Sequence, residues 1–224
     1  MLSYVFMKIL EGRPRSYDQR MDTLSRGRVR KIKEAAAAEI EPGAHVLEIG
    51  CGTGELASIL LSHGATRVEG FDLSPSMIAV ARERIKKEGL DERLRVRQMG
   101  VDGMDGLPPD TYDTVVSTLV FSELTPDERR FALKHAFRVL KPGGRLVIGD
   151  EVVPTDIKHR IVYQVVRAAM LILTYLVSKA ATRPLRDLAR EVTVASFVVA
   201  KETRSHGGAF VLLVAQRPSS EGSR

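Results

Sequence analysis

The sequence predicts a parallel α/β sheet covered by helices on both faces, and three observations carry that prediction. From His45 onward, short β-rich runs alternate with helical stretches. The first β-rich run passes into a helix through a loop with glycine at every second position. Two of the helices carry their own start and stop residues. No period of roughly 20–50 residues repeats, which excludes a solenoid. The 224 residues suit one domain with short additions, and 44% hydrophobic with 28% charged residues is a globular composition.

The elements follow in chain order. His45–Ile49 (HVLEI) reads as a buried strand. Glu55–His63 reads as a helix stopped by Gly64, and Arg67–Phe71 as the second strand. Pro75–Glu88 is a helix with Ser74 as N-cap, Pro75 as its first residue and Gly89 as its stop. Leu94–Met99 and Thr114–Leu119 are the third and fourth strands. Pro126–Leu140 is a helix capped by Thr125 and ended by Lys141-Pro142-Gly143-Gly144. Arg145–Gly149 is the fifth strand, and Val192–Ala200 and Ala209–Gln216 are two later ones about the turn His206-Gly207-Gly208. Ligands on such sheets bind beyond the carboxyl ends of the strands, near the switch point.

Charge and cysteine usage narrow the function classes. The net charge of +6 divides into +3 over residues 1–41, −3 over 42–155 and +6 over 156–224. The basic flanks could face nucleic acid, an anionic membrane surface or an acidic partner, or be ordinary solvated side chains. Nucleic acid is disfavoured, because tryptophan is absent and no basic stretch is rich in aromatics. The lone Cys51 excludes an intrachain disulfide and fits a reducing cytosol. One cysteine and five scattered histidines show no metal-ligand spacing, so no metal is expected. The N-terminal stretch carries an acid and no small-residue cleavage site, and reads as mature sequence rather than a signal peptide.

The sharpest motif is Val46-Leu47-Glu48-Ile49-Gly50-Cys51-Gly52-Thr53-Gly54. Three alternating glycines exceed what a tight turn needs and let the backbone approach a ligand, while the helix start offers free N–H groups. Asp72 ends the next strand, 20 residues after Gly52, where a carboxylate can accept both hydroxyls of a ribose. Gly52-Thr53-Gly54-Glu55-Leu56-Ala57 also fits the dinucleotide pattern G-x-G-x-x-A. Charge separates the two readings. A pyrophosphate at a helix start is disfavoured by the neighbouring Glu48 and Glu55, and Gly50 falls two residues too early for the dinucleotide register. A ligand with cationic groups suits Glu48 better, and S-adenosylmethionine has an ammonium, a sulfonium and a ribose.

VLEIGCGTG, GFDLSPSMI, YDTVVSTLVFSEL and RVLKPGGRLVIGDE, in that order from residue 46 to 151, resemble the class I S-adenosylmethionine-dependent methyltransferases. The resemblance implies a Rossmann-like, doubly wound, seven-stranded sheet whose last strand is antiparallel, built from residues 42–224 behind a helical extension over 1–41. It implies that the backbone of Gly50, Cys51, Gly52 and Gly54 cradles the methionine portion of the cofactor. Glu48 would hold its amino end, Asp72 its ribose, and Leu73 and Met77 would flank the adenine. Asp102 would accept from the adenine amino group, with Gly103 beside the ring; Asp105 competes for that role, and Asp102 is preferred as nearer the strand end. Thr118, in the fourth strand, completes the set.

The flanks resemble narrower groups. Tyr17-Asp18 precedes the core as in the ubiquinone and menaquinone methyltransferases, where an N-terminal tyrosine helps close the cofactor pocket. SYVFMKILEGRPRSYD, FSEL and LILTYLVSKAATRP resemble the corrinoid-protein-associated methyltransferases. A helical insertion is expected near 156–190. Its apolar run Ala168–Val177 is too short to cross a bilayer alone, and reads as a buried lid or dimer helix, or as contact with a membrane or lipid-like substrate. Methyl transfer from a sulfonium rests mainly on positioning, and no motif names a general base; His159, Tyr163 and Glu123 are candidates to line the pocket. The expected function is methyl transfer to a small-molecule or cofactor acceptor in the cytoplasm, with association at a corrinoid protein or membrane surface, or as a homodimer, left open. The alternatives are a nicotinamide-dependent oxidoreductase and a non-catalytic S-adenosylmethionine-binding partner protein.

Overall fold

The computed structural model describes residues 14–154, 185 and 187–219. After a 3₁₀ turn at Pro14–Ser16 come two helices, α1 (Tyr17–Ser25) and α2 (Arg28–Ala37). Then follow β1 (His45–Ile49), α3 (Glu55–Ser62), β2 (Arg67–Asp72), α4 (Pro75–Glu88) and β3 (Leu94–Gln98). A 3₁₀ stretch at Val101–Gly106 leads to β4 (Tyr112–Thr118), α5 (Pro126–Val139), β5 (Leu140–Glu151), α6 (Leu188–Val194), β6 (Val198–Ser205) and β7 (Phe210–Gln216). The seven strands form one sheet in the order β3-β2-β1-β4-β5-β7-β6. Every neighbouring pair from β3 to β5 is parallel, and β7 is antiparallel to both β5 and β6. The chain order reverses between β1 and β4, so their carboxyl ends form the switch point.

The central strands β1, β4, β5 and β7 are buried on both faces, and alternate residues supply two separate cores. Val46, Val68, Val116, Val147, Leu212 and Val214 meet Leu56, Leu60 and Ile85 on one side. Met21, Val29, Ile32, Ala36 and Ala37 of α1 and α2 pack into that same core. Leu47, Ile49, Val115, Leu146, Ile148 and Leu213 meet Leu133, Ala136, Leu188, Val192 and Phe197 on the other. Side chains hold the helix starts as expected. Ser74 accepts from the Met77 amide, and Thr125 and Glu128 form a reciprocal capping box.

One expected element is wrong. Val192–Ala200 was expected as a strand, but the chain is helical to Val194 and the strand begins at Val198. The Asp187 side chain caps that helix by accepting from the Arg190 amide, and Leu188 and Val192, four residues apart, bury one face. Strand β6 then runs on through the charged Lys201-Glu202-Thr203-Arg204, which is tolerable because β6 is an edge with exposed side chains. The fourth strand also begins two residues early at Tyr112, and the fifth takes in Leu140 to Gly144. The expected insertion, with His159, Tyr163 and Ala168–Val177, lies outside the described residues apart from Leu185 and 187–190. No described helix is long and apolar enough to cross a membrane.

Candidate functional site

A cavity of about 980 Å³ opens over the carboxyl ends of β1, β2 and β4, at the switch point. Its floor is the glycine loop. Gly50 has φ +72°, and a Cβ there would stand 2.2 Å from Val120 Cγ2, so the position excludes any side chain. The Gly50 and Cys51 amides both donate to the Phe71 carbonyl at 2.9 Å, fastening the loop to β2. Gly54, at φ +77°, is the N-cap of α3. The Asp72 carboxylate locks the opposite wall: Oδ2 accepts from the Gly52 amide at 2.9 Å and Oδ1 from the Ser74 amide at 2.8 Å. The end of β2 and the glycine loop therefore form one rigid rim.

Tyr17, Glu48, Gly50, Cys51, Gly52, Asp72, Leu73, Met77, Asp102 and Thr118 all line this cavity. Gly54 and Gly103 do not. Gly54 sits behind the loop, with Ala81 of α4 3.4 Å from where its Cβ would be, and a Cβ on Gly103 would meet the Met99 side chain at 2.5 Å. Of the two aspartates after β3, Asp102 lines the cavity and Asp105 does not. Leu73, 74% exposed, stands at the mouth, with Met77, Met99 and Val101 giving apolar walls near Asp102.

Glu48 is the electrostatic centre of the site. It is 2% exposed, and its Oε2 has no hydrogen-bond partner among the described residues. Burial pushes its carboxyl from 4.5 up to about 8; the Lys33 charge opposes this, while Asp72 and Glu55 add to it. Glu55 behaves oppositely. Burial pushes it up, but the Lys33 charge and a 2.6 Å hydrogen bond from Lys33 Nζ, helped by Arg84 and Arg30, hold it below 4.5. Burial raises the Cys51 thiol well above its ordinary 9.0, and Glu48 and Asp72 push it the same way, which keeps the thiol neutral.

Several site residues carry no sequence signature. Lys33 and Val29 of α2 line the cavity, one helical turn apart. Asp18 does not line it but stitches α1 to the loop: Thr53 Oγ1 donates to both carboxylate oxygens at 2.7 and 2.8 Å, and Arg84 Nη2 donates to Oδ2 at 2.5 Å. In the sequence Asp18 stood out only as the second member of the Tyr17-Asp18 pair, with no role of its own. Past β4, Leu119 has φ +61°, an uncommon conformation for a branched side chain, and its amide is pinned to the Gly149 carbonyl at 2.8 Å. Beneath that turn Asp150, wholly buried at the end of β5, accepts from the Ser122 amide at 3.1 Å. Burial raises its carboxyl to about 6 against those hydrogen bonds. The turn presents Val120 and Leu124 to the cavity together with Glu123, the one described residue of the three expected to line the pocket, and α5 adds Asp127, Glu128 and Phe131.

Comparison with known proteins gives a consistent picture. Residues 46–144 match the family model described as a methyltransferase domain. Erythromycin 3''-O-methyltransferase of Saccharopolyspora erythraea is 36% identical over 126 residues, covering 56% of this chain and 40% of the relative. The ubiquinone/menaquinone biosynthesis C-methyltransferase of Pseudoalteromonas translucida is 31% identical over 137 residues, covering 59% and 53%. The chain thus spans about half the length of the curated relatives it matches. Among solved structures, the complex between the Haloferax volcanii Trm112 methyltransferase activator and the putative methyltransferase aligns with TM-score 0.71 and 18% identity, over 92% of this chain and 95% of that one, which establishes a shared fold.

Proposed function

Because residues 46–144 match a methyltransferase domain, we propose that this chain is a class I S-adenosylmethionine-dependent methyltransferase and transfers a methyl group from that cofactor to a small-molecule acceptor. One observation carries the reading. The base of the glycine loop holds a buried carboxyl group, Glu48, with an oxygen that no hydrogen bond among the described residues satisfies. An unpaired buried acceptor of that kind costs about 1–3 kcal/mol and fits a cationic donor arriving from the cavity. A cation arriving there favours the ionised form of Glu48, whereas a pyrophosphate would meet a cavity lined by Glu48, Asp72 and Asp102, so the chemistry of the donor set fits S-adenosylmethionine and disfavours a nicotinamide dinucleotide. A non-catalytic binding protein is disfavoured, since the cavity extends past the loop into a second, partly apolar region at Val120, Leu124 and Phe131.

When bound, S-adenosylmethionine supplies an electrophilic methyl group on a sulfonium. The chain's residues then have distinct tasks. Glu48 receives the ammonium end, Asp72 accepts from the ribose hydroxyls while its backbone ties fix its orientation, and Leu73, Met77 and Asp102 hold the adenine. Tyr17, on the helix latched by Asp18, covers the loop. Leu119, Val120, Glu123, Leu124 and Phe131 shape the space for the acceptor and exclude water from it. The two relatives' names specify an O-methylation and a C-methylation in small-molecule chemistry, which supports a small-molecule acceptor without fixing its atom.

Calorimetry tests the cofactor: S-adenosylmethionine or its demethylated product should bind, and NADH much more weakly. Tighter NADH binding overturns the proposal. Incubation with methyl-labelled cofactor and host extract, fractionated into small molecules, corrinoid protein and membrane, should place label in the small-molecule fraction. Label confined to either of the other two fractions overturns the small-molecule acceptor.

A further inference from the structure

Resting on that cofactor reading, we infer that Lys33 is a cofactor-recognition residue: it anchors the carboxylate of the cofactor's amino-acid end, as the partner of Glu48 in a two-charge site. Nothing in the glycine-loop pattern contains Lys33. It comes from the N-terminal helical pair, 15 residues before the Glu48 it works with.

The charge inventory of the cavity makes the argument. Its described lining carries six carboxylates, Glu48, Asp72, Asp102, Glu123, Asp127 and Glu128, and Lys33 is the one lysine or arginine. A lysine in such a wall is either a structural counter-ion or a recognition group, and its placement favours recognition. Its side chain is only 13% exposed, and α2 turns Val29 and Lys33, one turn apart, toward the cavity while Ile32 and Ala36 pack into the core. Glu55 Oε2 takes one of the three ammonium donors at 2.6 Å. That contact fixes the direction of the side chain, as a positioning partner should.

Glu48 supplies the complementary half. It lines the same cavity with one oxygen unsatisfied, and Lys33 is the cation whose charge acts on it most strongly. Lys33, Asp72 and Glu55 are the charged groups acting on Glu48, so Lys33 offsets an otherwise wholly negative setting. A buried acid and a half-enclosed ammonium in one wall match an ammonium and a carboxylate on one carbon of a ligand. The adenosine part has neither charge, so the pair recognises the amino-acid end alone.

Decarboxylated S-adenosylmethionine isolates the carboxylate, because it keeps the sulfonium, the ammonium and the adenosine. Calorimetry on the full chain should show the wild type preferring S-adenosylmethionine over the decarboxylated compound by on the order of 10- to 100-fold. Lys33→Met should abolish that preference by weakening S-adenosylmethionine alone, and Lys33→Arg should restore part of it. If Lys33 only braces Glu55, Lys33→Met weakens both compounds equally and the inference is overturned; a wild type without preference overturns it as well. Should Lys33→Met melt early, Lys33→Gln gives the same comparison with a polar stem. Failure of the wild type to bind either compound strikes the cofactor reading itself, and this inference falls with it.

Discussion

Replacing Glu48 by glutamine removes an ionisable group from the floor of the site while keeping its shape, and the effect on folding stability has a definite sign. Burial raises this carboxyl from 4.5 to about 8. The native state therefore keeps a proton that the unfolded chain gives up near 4.5. Stability from that proton is complete below the unfolded value and is lost as pH climbs to the folded one. At about 1.4 kcal/mol per pH unit, the full span is worth roughly 5 kcal/mol, and local relaxation and water penetration around the ionised group bring the expectation to about 2–4 kcal/mol. Glu48→Gln has no such proton to lose. In urea unfolding of the cofactor-free proteins near pH 5, 7 and 9, the variant should gain on the wild type by about 2–4 kcal/mol between the lowest and highest pH. Asp150, raised to about 6, gives a decline of the same sign that ends earlier, and it cancels because both proteins carry it. The same variant should bind cofactor more weakly at every pH. Parallel stability curves would show that Glu48 is not a buried ionisable group, and the electrostatic argument for its role would fail with it.

Asp18→Ala should cost about 1–3 kcal/mol in urea unfolding, because it leaves the buried Thr53 hydroxyl without an acceptor, and should raise amide hydrogen exchange across Tyr17–Ser25. Unchanged exchange there would mean that α1 is held by its apolar contacts alone. Gly50→Ala should lower both melting temperature and cofactor affinity, since its Cβ would overlap Val120. Adding Val120→Ala should recover the steric part and leave a backbone cost of roughly 1–2 kcal/mol for the positive φ; no recovery would place the obstruction elsewhere. Asp72→Ala should weaken cofactor binding by about 10- to 100-fold in calorimetry. Unchanged affinity in a folded variant would remove Asp72 from the ribose role.

The elements legible in the sequence were those whose local chemistry and tertiary setting agree. Ser74-Pro75 and Thr125-Pro126 announce helix starts by capping and by fixed φ, and both helices begin there. The glycine loop was legible because alternating glycines have few other uses. The stretch Val192–Ala200 misled because Glu191-Val192-Thr193-Val194 is rich in β-branched residues, whereas its fate was decided by Asp187 upstream and by burial of Leu188 with Val192. Within the site, side chains next to the motif were readable, and those brought in by tertiary folding were not. Lys33 meets Glu55 across 22 residues, and Asp18 meets Arg84 across 66. No local period encodes such pairs. Leu119 was invisible for another reason: its left-handed backbone is imposed by the Gly149 and Asp150 ends of β5, against the preference of leucine itself.

The insertion of β7 between β5 and β6 sets a timetable for synthesis. Strand β5 leaves the ribosome with its parallel partner β4 already made, but its other edge, from Arg145 to Glu151, waits for the rungs of Phe210–Gln216. Phe210 lies about 60 residues after Glu151, so at ~5–20 residues per second the gap lasts roughly 3–12 s. During that interval the nascent chain carries an open, strongly apolar strand edge, Leu146-Val147-Ile148, in the middle of its future sheet. The β6 strand cannot close it, because β6 reaches the sheet only through β7. Nascent-chain association and chaperone recruitment should therefore concentrate in this window and end when β7 emerges, and a chain stalled before Phe210 should bind holdase where one stalled beyond Gln216 is released.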